Sequence, residues 1–365
     1  MGTEHTETLI IGGGQAGLVT AYELARRGRE YLVVEALDRI GDNWRRHYDS
    51  LVLFSPRKVD SLPGLDFPGP AMGLPTKDEV GDYLEAYAAH HDIDVRTGVK
   101  VTRVGRTGDG FEATTSSGVI KSDNVVVATG KVDDPYIPDF AGQLDDRIVQ
   151  LHSCQYKRPD QLAPGPVLVV GAAHSGADIA IEAAATHRTI LSGRRTGNLP
   201  FRLTGPATRF AAPVMKFVMR KVISVKTPLG RKVGPKFRAG GGPLIDPRME
   251  DIENAGVEWT EERTVGAQDA RPLLADGRTL DVANVVWCTG FHHDFSWLDL
   301  DLADENGYPA EEFRGVVDSV PGLYFMGLTF QSSFSSMLFI GVGRDARHVV
   351  RHLIARADTR PSVPD

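Results

Sequence analysis

Residues Thr8–Ala36 read TLIIGGGQAGLVTAYELARRGREYLVVEA and carry the most informative pattern of the 365-residue chain. The apolar run before the glycines predicts a strand, and the spacing of small and apolar residues after them predicts a helix with one buried face. Gly28 is placed to end that helix, and YLVV predicts a second strand that finishes at Glu35. The stretch therefore predicts a βαβ unit.

Gly12, Gly14 and Gly17 form the motif G-x-G-x-x-G in the first turn of this unit. In that motif the first glycine permits a tight turn, the second admits a pyrophosphate and the third lets helix and strand pack closely. Glu35 is placed to accept hydrogen bonds from a ribose 2′-hydroxyl, which suits FAD or NAD. The unit therefore predicts a dinucleotide site that also includes Gln15, Ala16 and Ala36.

A second stretch, VLVVGAAHSGADIA (Val167–Ala180), repeats the pattern, with Ala173 in place of the middle glycine. Gly171 follows Gly12 by 159 positions, and VVVATG recurs 160 positions later as VVWCTG. Two copies at one spacing indicate an internal repeat. The chain is therefore expected to contain two dinucleotide-binding halves.

The register of the repeat distinguishes the two predicted sites. Glu35 lies 23 positions after Gly12, and Arg194 lies 23 positions after Gly171. A carboxylate would repel a 2′-phosphate, whereas an arginine can bind one bidentately. The second copy therefore predicts an NADP(H) site, with Gly171, Ser175, Gly176, Arg194, Arg195, Thr289 and Gly290 as its candidate residues.

Composition excludes several other classes. The net charge of -7 gives no reason to expect a nucleic-acid partner. Cys154 and Cys288 do not form a C-x-x-C pair, which argues against dithiol chemistry and fits a reducing cytosol. No signal peptide or bilayer-spanning run is evident, so a cytoplasmic location is expected. Adjacent His292 and His293 point to opposite sides of an extended chain, so no metal site is expected.

An ordered set of motifs follows Glu35: GDNWRRHYDSL, LPGLDFPGPAMGLPTKDEVGDYLEAYAAH, VVVATG, VVWCTGF and GLYFMGL. Together they resemble the flavin-containing monooxygenases, which are class B flavoprotein monooxygenases. The similarity is greatest to the YUCCA-type and related bacterial enzymes. The resemblance extends from about residue 8 to residue 352.

In that family the first site holds FAD and the second holds NADPH. NADPH reduces the flavin, O2 forms a C4a-peroxyflavin, and one oxygen atom passes to a small organic substrate. The resemblance therefore implies an NADPH-dependent monooxygenase that performs heteroatom oxidation or Baeyer–Villiger-type insertion. It adds to the candidate FAD site Asn43, Trp44, Ala128, Thr129, Gly130 and Gly327.

The chain departs from the family signature F-x-G-x-x-x-H-x-x-x-Y/F. It retains His152 and Tyr156, but Asp146 and Ile148 replace the Phe and Gly. Ser55 stands where the family often has an asparagine near the flavin ring. The resemblance implies catalytic roles for Ser55, His152 and Tyr156, with a surface histidine as the alternative for His152. The partial motif leaves open an NADPH-dependent flavin reductase or oxidase, or a non-catalytic flavoprotein.

Two other side chains have more than one interpretation. His174 in the second turn is expected to face solvent rather than a cofactor. Arg57 is expected either to meet an anionic substrate or to pair with a neighbouring acid.

The segment 183–245 contains no acidic residue, and PVMKFVMRKVISV within it predicts a basic amphipathic helix. This insert, at about 205–240, is expected to form a substrate-channel lid or a homodimer contact in preference to a membrane contact. RAGGGP (238–243) predicts a hinge that closes it.

The predicted fold class is α/β, with two Rossmann-like dinucleotide-binding domains, the NADPH domain being inserted into the FAD domain. The FAD-binding domain is expected at 1–160 and 286–365, and the NADPH-binding domain at 161–285. The flavin ring is expected at the domain interface, where ligand clefts commonly occur.

Overall fold

In a computed structural model, the protein contains two separate sheets whose strands are mainly parallel. It describes residues 3–108, 110–130, 134–198, 216–238, 243–292, 294–300, 302, 309 and 313–358. The two sheets contain the two copies of the repeat, which confirms the predicted fold class.

The larger sheet has eight strands in the order β14-β4-β5-β6-β1-β2-β3, with β15 also paired to β6. Strands β4, β5 and β6 form an antiparallel meander, whereas the pairs β1–β2, β1–β6, β2–β3, β6–β15 and β4–β14 are parallel. The bounds of the strands are β1 Thr3–Ile11, β2 Leu32–Val34, β3 Val95–Arg96, β4 Val101–Thr107, β5 Gly110–Thr115, β6 Gly118–Val127, β14 Leu298–Asp299 and β15 Leu323–Phe325.

The smaller sheet has five parallel strands in the order β10-β9-β8-β13-β7. This order matches β3-β2-β1-β6-β15 of the larger sheet, strand for strand. The bounds of its strands are β7 Val149–His152, β8 Val167–Val170, β9 Thr189–Ser192, β10 Glu258–Thr260 and β13 Asn284–Trp287, and a separate hairpin comprises β11 Thr264–Gln268 and β12 Arg271–Leu274.

Eight helices cover the sheets in the part of the chain that the structure describes. Their bounds are α1 Gln15–Ala25, α2 Asp42–Arg45, α3 Arg57–Asp60, α4 Lys77–His90, α5 His174–Ala184, α6 Pro228–Arg238, α7 Met249–Asn254 and α8 Phe339–Asp358. Helix α4 begins with a capping box between Thr76 and Glu79, which satisfies free N–H groups of its first turn. No described helix has the length and apolar character needed to cross a membrane.

Strand residues of the larger sheet point alternately into two apolar cores. Ile10, Val33 and Val126 face the core that α1, α4 and α8 complete. Leu9 and Val125 face the second core, together with residues of β4 and β5. The parallel strands are buried on both faces, which explains why the sequence reads as continuous apolar runs around each glycine turn.

The strand Val149–His152 changes the predicted domain boundaries. It pairs with β13, with Val149 beside Asn284 and His152 beside Trp287. Both strands therefore belong to the smaller sheet, which begins at residue 149 and ends at residue 287. The predicted boundaries at residues 160 and 286 were wrong, because the first assigns β7 to the FAD-binding domain and the second divides β13. Sequence reasoning missed β7 because no glycine motif marks this edge strand.

The described part of the predicted insert, residues 216–238, packs against the larger domain. It contains a π-helical turn at Val218–Val222 and then α6, and the predicted helix does not continue through the described residues 223–225. Phe237 stacks on Phe330 with ring centroids 5.8 Å apart, and Ser224 pairs with Ser333. Residues 205–215 of the insert and 239–242 of the predicted hinge lie outside the described residues.

Candidate functional site

The first glycine turn joins β1 to α1 in a backbone conformation that favours glycine. Gly12 has a φ of +113°, and a Cβ there would lie 2.4 Å from the carbonyl oxygen of Ala128. A Cβ on Gly17 would lie 1.9 Å from the Gly12 carbonyl oxygen, so α1 packs directly on the turn. The turn therefore presents the N-terminus of α1 as a phosphate-binding site.

The carboxylate of Glu35 is oriented by the same turn. The N–H of Gly13 donates to Oε2 at 2.6 Å, and the N–H of Leu37 donates to Oε1 at 2.9 Å. Each carboxylate oxygen can accept a further hydrogen bond. Glu35 is thus fixed at the end of β2 with acceptor capacity remaining for a ribose hydroxyl.

Two cavities, of about 450 and 320 Å³, meet beside the turn and share Glu35, Thr129 and Gly130. Their continuous path suits an extended dinucleotide. Gly17 does not line either cavity, because its role is to let α1 approach the turn. The predicted FAD-site residues that line one cavity or both are Gly12, Gly14, Gln15, Ala16, Glu35, Ala36, Asn43, Trp44, Ala128, Thr129, Gly130 and Gly327.

Sequence reasoning missed more than half of the lining. Met326 and Leu328 stand inside the quoted motif GLYFMGL and could have been found from it. The others reach the cavities only through tertiary packing, for example through the pairing of β14 with β4. The main missed residues are Val99, Lys100, Val101, Phe295 and Trp297 in the larger cavity, and Leu37, His47, Thr329, Met337 and Leu338 in the smaller one.

Apart from the Glu35 carboxylate, the described side chains that line the smaller cavity are apolar, aromatic or neutral and polar. The indole N–H of Trp44 donates to Gln15 Oε1 at 3.3 Å. Burial, together with the charges of Lys157 and Lys77, lowers the pKa of His47 to about 4. The His47 imidazole is therefore neutral at neutral pH and adds no positive charge to this cavity.

The second glycine turn reproduces the geometry of the first. Gly171 has a φ of +106°, and a Cβ there would lie 2.3 Å from the carbonyl oxygen of Cys288. Ala173 has φ -87° and ψ -172°, close to the values of -79° and -174° at Gly14. Both conformations are open to any L-residue. Ala173 therefore adds a methyl group to the phosphate side of the turn without straining its backbone.

The other predicted second-site residues surround this turn. Ser175 is the second residue of α5, and a Cβ on Gly176 would lie 1.7 Å from the Gly171 carbonyl oxygen. Arg194 and Arg195 follow the end of β9 and are both exposed. The turn, the N-terminus of α5 and these two arginines share one edge of the smaller sheet.

Thr289 and Gly290 lie on one of two segments that cross between the sheets. The N–H of Tyr136 donates to the Gly290 carbonyl oxygen at 2.9 Å, and the N–H of His292 donates to the Asp134 carbonyl oxygen at 2.8 Å. The Thr289 hydroxyl donates to the Tyr136 carbonyl oxygen. The two crossing segments therefore form a short antiparallel ribbon, here called the crossing ribbon.

His152 and Tyr156 are buried and do not line either cavity. The side chain of His152 donates from Nε2 to the Gly290 carbonyl oxygen at 3.0 Å, and its Nδ1 accepts the Cys154 N–H at 3.3 Å. Tyr156 donates its hydroxyl to Glu182 on α5 at 3.0 Å. The alternative of a surface histidine was wrong, because His152 is fully buried under the crossing ribbon.

Ser55 and Arg57 both have partners within the larger domain. The Ser55 hydroxyl donates to the two carboxylate oxygens of Asp60 at 2.7 and 2.9 Å. Arg57 is buried and pairs with Glu79, which agrees with the salt-bridge interpretation of this arginine. Neither side chain lines the two cavities.

His174 does not face solvent as predicted. Its ring packs 5.4 Å from that of Phe54 in the larger domain, and its Nε2 accepts the Ile245 N–H at 3.1 Å. Burial lowers the pKa of His174 to about 4. The expectation was wrong because the loop 50–56, distant in sequence, covers the start of α5.

The structure shows no group of three or more metal-ligating side chains among the residues it describes. His292 lines the larger cavity and has its ring 4.9 Å from that of Tyr136. His293, its neighbour in sequence, lies outside the described residues.

Comparison with known proteins identifies the family. A family model described as pyridine nucleotide-disulphide oxidoreductase matches residues 9–205, more than half of the chain. The chain belongs to this family. An uncharacterized CzcO-like oxidoreductase of Geobacillus kaustophilus is 36% identical over 350 residues, which cover 95% of this chain and 98% of the relative.

Flavin monooxygenases are also similar to this oxidoreductase over nearly its whole length. A probable indole-3-pyruvate monooxygenase of Arabidopsis thaliana, YUCCA9, is 29% identical over 392 residues, covering 97% of this chain and 92% of the relative. A solved flavin-containing monooxygenase from Stenotrophomonas maltophilia is 27% identical, with a TM-score of 0.76 and coverage of 97% and 99%. The predicted resemblance to YUCCA-type and bacterial flavin monooxygenases is confirmed, and with it the prediction of an enzyme.

The buried acid beside Ser55 predicts a measurable pH dependence of this oxidoreductase. Burial raises the pKa of Asp60 to about 7, against about 4 for an unfolded aspartate. Folding therefore favours the protonated form of Asp60. The free energy of unfolding falls by about 2–4 kcal/mol as the pH rises from 4 through 7, because the folded protein must then retain this proton or bury a charged carboxylate. Urea unfolding at pH 5 and pH 8 should show a smaller loss of stability in Asp60→Asn than in the wild type.

A matched control is Asp66→Asn, which removes an exposed carboxyl from the neighbouring loop. It should keep the pH profile of the wild type. An equal loss of stability in the wild type and in Asp60→Asn would contradict the prediction.

Proposed function

We propose that the protein is an NADPH-dependent FAD monooxygenase that transfers one oxygen atom from O2 to a small organic substrate. The reaction is heteroatom oxidation or Baeyer–Villiger-type insertion. The observation that carries this proposal is the pair of glycine turns with matching geometry, one followed by Glu35 and the other by Arg194. Two such sites in one chain provide for hydride transfer from a nicotinamide to a flavin.

The first turn and its two cavities hold FAD. FAD, when bound, supplies the electron acceptor for NADPH and the group that activates O2. The N-terminus of α1 binds the pyrophosphate, and the free acceptor positions of Glu35 bind a ribose hydroxyl. Trp44, Met337 and Leu338 give the smaller cavity an apolar wall. An apolar wall disfavours water at an oxygen-transfer site and thereby limits hydrolysis and proton leakage.

The second turn holds NADPH. Gly171, Ser175 and Gly176 place the N-terminus of α5 against its pyrophosphate, and Arg194 and Arg195, which are exposed after β9, supply positive charge for its 2′-phosphate. Thr289 and Gly290 bring the coenzyme site to the crossing ribbon, where the two domains meet.

We assign His152 and Tyr156 positioning roles in this reaction, since neither lines the cavities. The His152 Nε2–H holds the Gly290 carbonyl and thereby anchors the crossing ribbon to the smaller sheet. The Tyr156 hydroxyl holds α5 through Glu182. The Ser55 hydroxyl binds Asp60 and thereby fixes the loop whose Phe54 packs on His174 of α5.

The described part of the insert acts as a lid over the substrate entrance. Met219 of the insert packs with Phe54, Phe334 and Ile245, which come from both domains. This contact supports a lid more directly than the membrane contact or the homodimer contact considered above. We place the enzyme in the cytoplasm, in keeping with its two free cysteines.

A reductase or oxidase without oxygen transfer is the second candidate, because the family signature is incomplete. Asp146 is exposed at the signature's Phe position, and Ile148 fills its Gly position beside the β7 edge. Reduction of the flavin by NADPH is common to both candidates. Only the fate of O2 distinguishes them.

The first test reduces the purified protein anaerobically with NADPH and mixes it with oxygenated buffer in a stopped-flow spectrometer. The monooxygenase proposal expects a resolved absorbance phase between the reduced and oxidised flavin spectra, and a product that carries one atom of 18O from 18O2. Direct reoxidation that yields stoichiometric peroxide, with every substrate of a broad amine, sulfide and ketone panel, would assign the enzyme to the oxidase class instead.

A further inference from the structure

Three arginines meet where the lid packs on the larger domain. Arg220 lies in the π-helical turn of the lid, and its carbonyl oxygen accepts a hydrogen bond from Nη1 of Arg344 on α8 at 2.7 Å. The Nε atoms of Arg314 and Arg344 lie 3.4 and 3.5 Å from the same carboxylate oxygen of Asp345. Asp345 is fully buried and also accepts the Ser332 hydroxyl at 3.0 Å. The junction between the lid and the larger domain is therefore rich in positive charge.

One buried carboxylate does not balance these guanidinium charges. In the part of the chain that the structure describes, Asp345 is the sole acid that forms an ion pair with Arg314 or Arg344. The side chain of Arg220 pairs with none of the described acids. Burial and the nearby charges of Arg344 and Arg347 lower the pKa of Arg220. A further negative charge at this junction would relieve the repulsion between the guanidinium groups.

The guanidinium groups of this cluster differ in how many of their donors are used. Arg344 donates from Nη2 to the hydroxyls of Ser332 and Ser333 at 2.9 Å, so its orientation is fixed. Among the described residues, neither Arg220 nor Arg314 donates a side-chain hydrogen bond, and the Nε of Arg314 is buried without an acceptor. An arginine fork with unused donors matches the oxygens of a carboxylate or phosphate group.

The turn that carries Arg314 is fixed by the larger sheet. Arg314 has a φ of +55°, a region that few residues other than glycine adopt. The next residue, Gly315, has a φ of +85°, and a Cβ there would lie 1.8 Å from the Phe325 carbonyl oxygen of β15. The lid meets this turn a second time, because Lys226 Nζ lies 4.3 Å from the ring centroid of Phe313. Such uncommon conformations persist where the surrounding structure determines them, often at ligand sites.

We propose that Arg220 and Arg314 form a binding site for an oxyanion, a carboxylate or phosphate group, that holds the lid on the larger domain. Arg344 is a positioning residue, since it fixes the backbone of Arg220. The inference rests on the proposed role of the insert as a lid. Because one arginine belongs to the lid and the other to the larger domain, an anion that accepts hydrogen bonds from both stabilises the closed lid selectively.

The test measures proteolysis of the lid in the oxidised FAD holoenzyme, with sodium phosphate varied at constant ionic strength. Subtilisin is used because its cleavage does not require a lysine or an arginine. Phosphate at about ten times its apparent Kd should slow cleavage within the lid about tenfold. Arg220→Gln and Arg314→Gln should each reduce this protection to less than about twofold, because each removes one of the two donor groups.

Lys221→Gln is the matched control, because Lys221 is an exposed cation in the same turn of the lid. It removes the same charge as Arg220→Gln and should keep the protection by phosphate. Arg220→Lys keeps the charge without the planar fork and should keep part of the protection. These two variants separate a specific site from a general response of a basic segment to anions.

The same assay distinguishes the two sources of the oxyanion. If it is the anionic group of an organic substrate, phenylacetate should protect the lid at a concentration at least about tenfold below that of acetate, because its ring adds apolar contact. If it is a free anion, phosphate should protect at the lowest concentration and the two carboxylates should be equivalent. Either result supports the site.

Protection by phosphate that persists in both Arg220→Gln and Arg314→Gln would overturn the inference. So would wild-type protein whose lid is cleaved at the same rate with and without about 100 mM phosphate, since a site weaker than this has no use for a cellular anion. A protein that phosphate protects through Arg220 yet that never oxygenates a substrate refutes the monooxygenase proposal and leaves this inference standing.

Discussion

Gly12→Ala should yield a protein that purifies without FAD. The alanine must adopt a φ of +113°, and its Cβ would lie 2.4 Å from the Ala128 carbonyl oxygen. A side chain in this region costs about 1–3 kcal/mol, and the clash adds to that strain. Relief requires β1 and β6 to separate at the turn, which distorts the phosphate-binding N-terminus of α1. The affinity for FAD should fall at least about 100-fold.

The measurement is the ratio of flavin to protein absorbance after purification, followed by FAD titration of the stripped protein. Gly142→Ala is the matched control, because a Cβ there meets no atom within 4 Å. It should purify yellow. A fully yellow Gly12→Ala protein with unchanged FAD affinity would show that the first turn is not the flavin site.

Gly171→Ala should give the complementary result, a yellow protein that NADPH no longer reduces. The alanine would take a φ of +106° with its Cβ 2.3 Å from the Cys288 carbonyl oxygen, a clash equivalent to that at Gly12. The distortion lies at the turn after β8 in the smaller sheet, and Gly171 lines neither FAD cavity. The rate of anaerobic flavin reduction at a fixed NADPH concentration should drop at least about 100-fold, while chemical reduction by dithionite remains normal.

Ala173→Gly tests whether the methyl group that replaces the middle glycine of the second turn hinders coenzyme binding. The backbone at this position matches Gly14, so the substitution removes only a methyl group and leaves the conformation of the turn unchanged. We expect reduction by NADPH to stay within about threefold of the wild-type rate. A large gain in the reduction rate of Ala173→Gly would mean that the methyl group blocks the pyrophosphate. For the preceding variant, Gly171→Ala, reduction at the wild-type rate would mean that the coenzyme binds elsewhere.

The sequence predicted those features that follow from local geometry and from the repeat. The two turns, Glu35 at the end of β2 and the parallel strands around them depend on short segments whose glycines and apolar runs have one structural solution. The same reasoning located the part of the FAD cavity that surrounds the first turn, because motif residues of a βαβ unit converge at the carboxyl ends of its strands.

The remaining features depended on contacts between distant segments. His174 follows the second turn, and no local pattern shows that Phe54 covers it. The edge strand β7 is assigned to the smaller sheet only by its pairing with β13. Arg195 could not be distinguished from Arg194, since Glu253 and Trp259 reach it from a later strand and helix.

The crossing ribbon has a mechanical consequence. Two independent connections between domains would permit sliding, rotation and separation, but here the outgoing and returning segments are hydrogen-bonded side by side. A displacement of one sheet relative to the other must therefore deform both segments together. It must also break the contact of Phe54 with His174 and the hydrogen bond of Tyr48 with Asp178 across the domains, so the ribbon transmits strain from one sheet to the other.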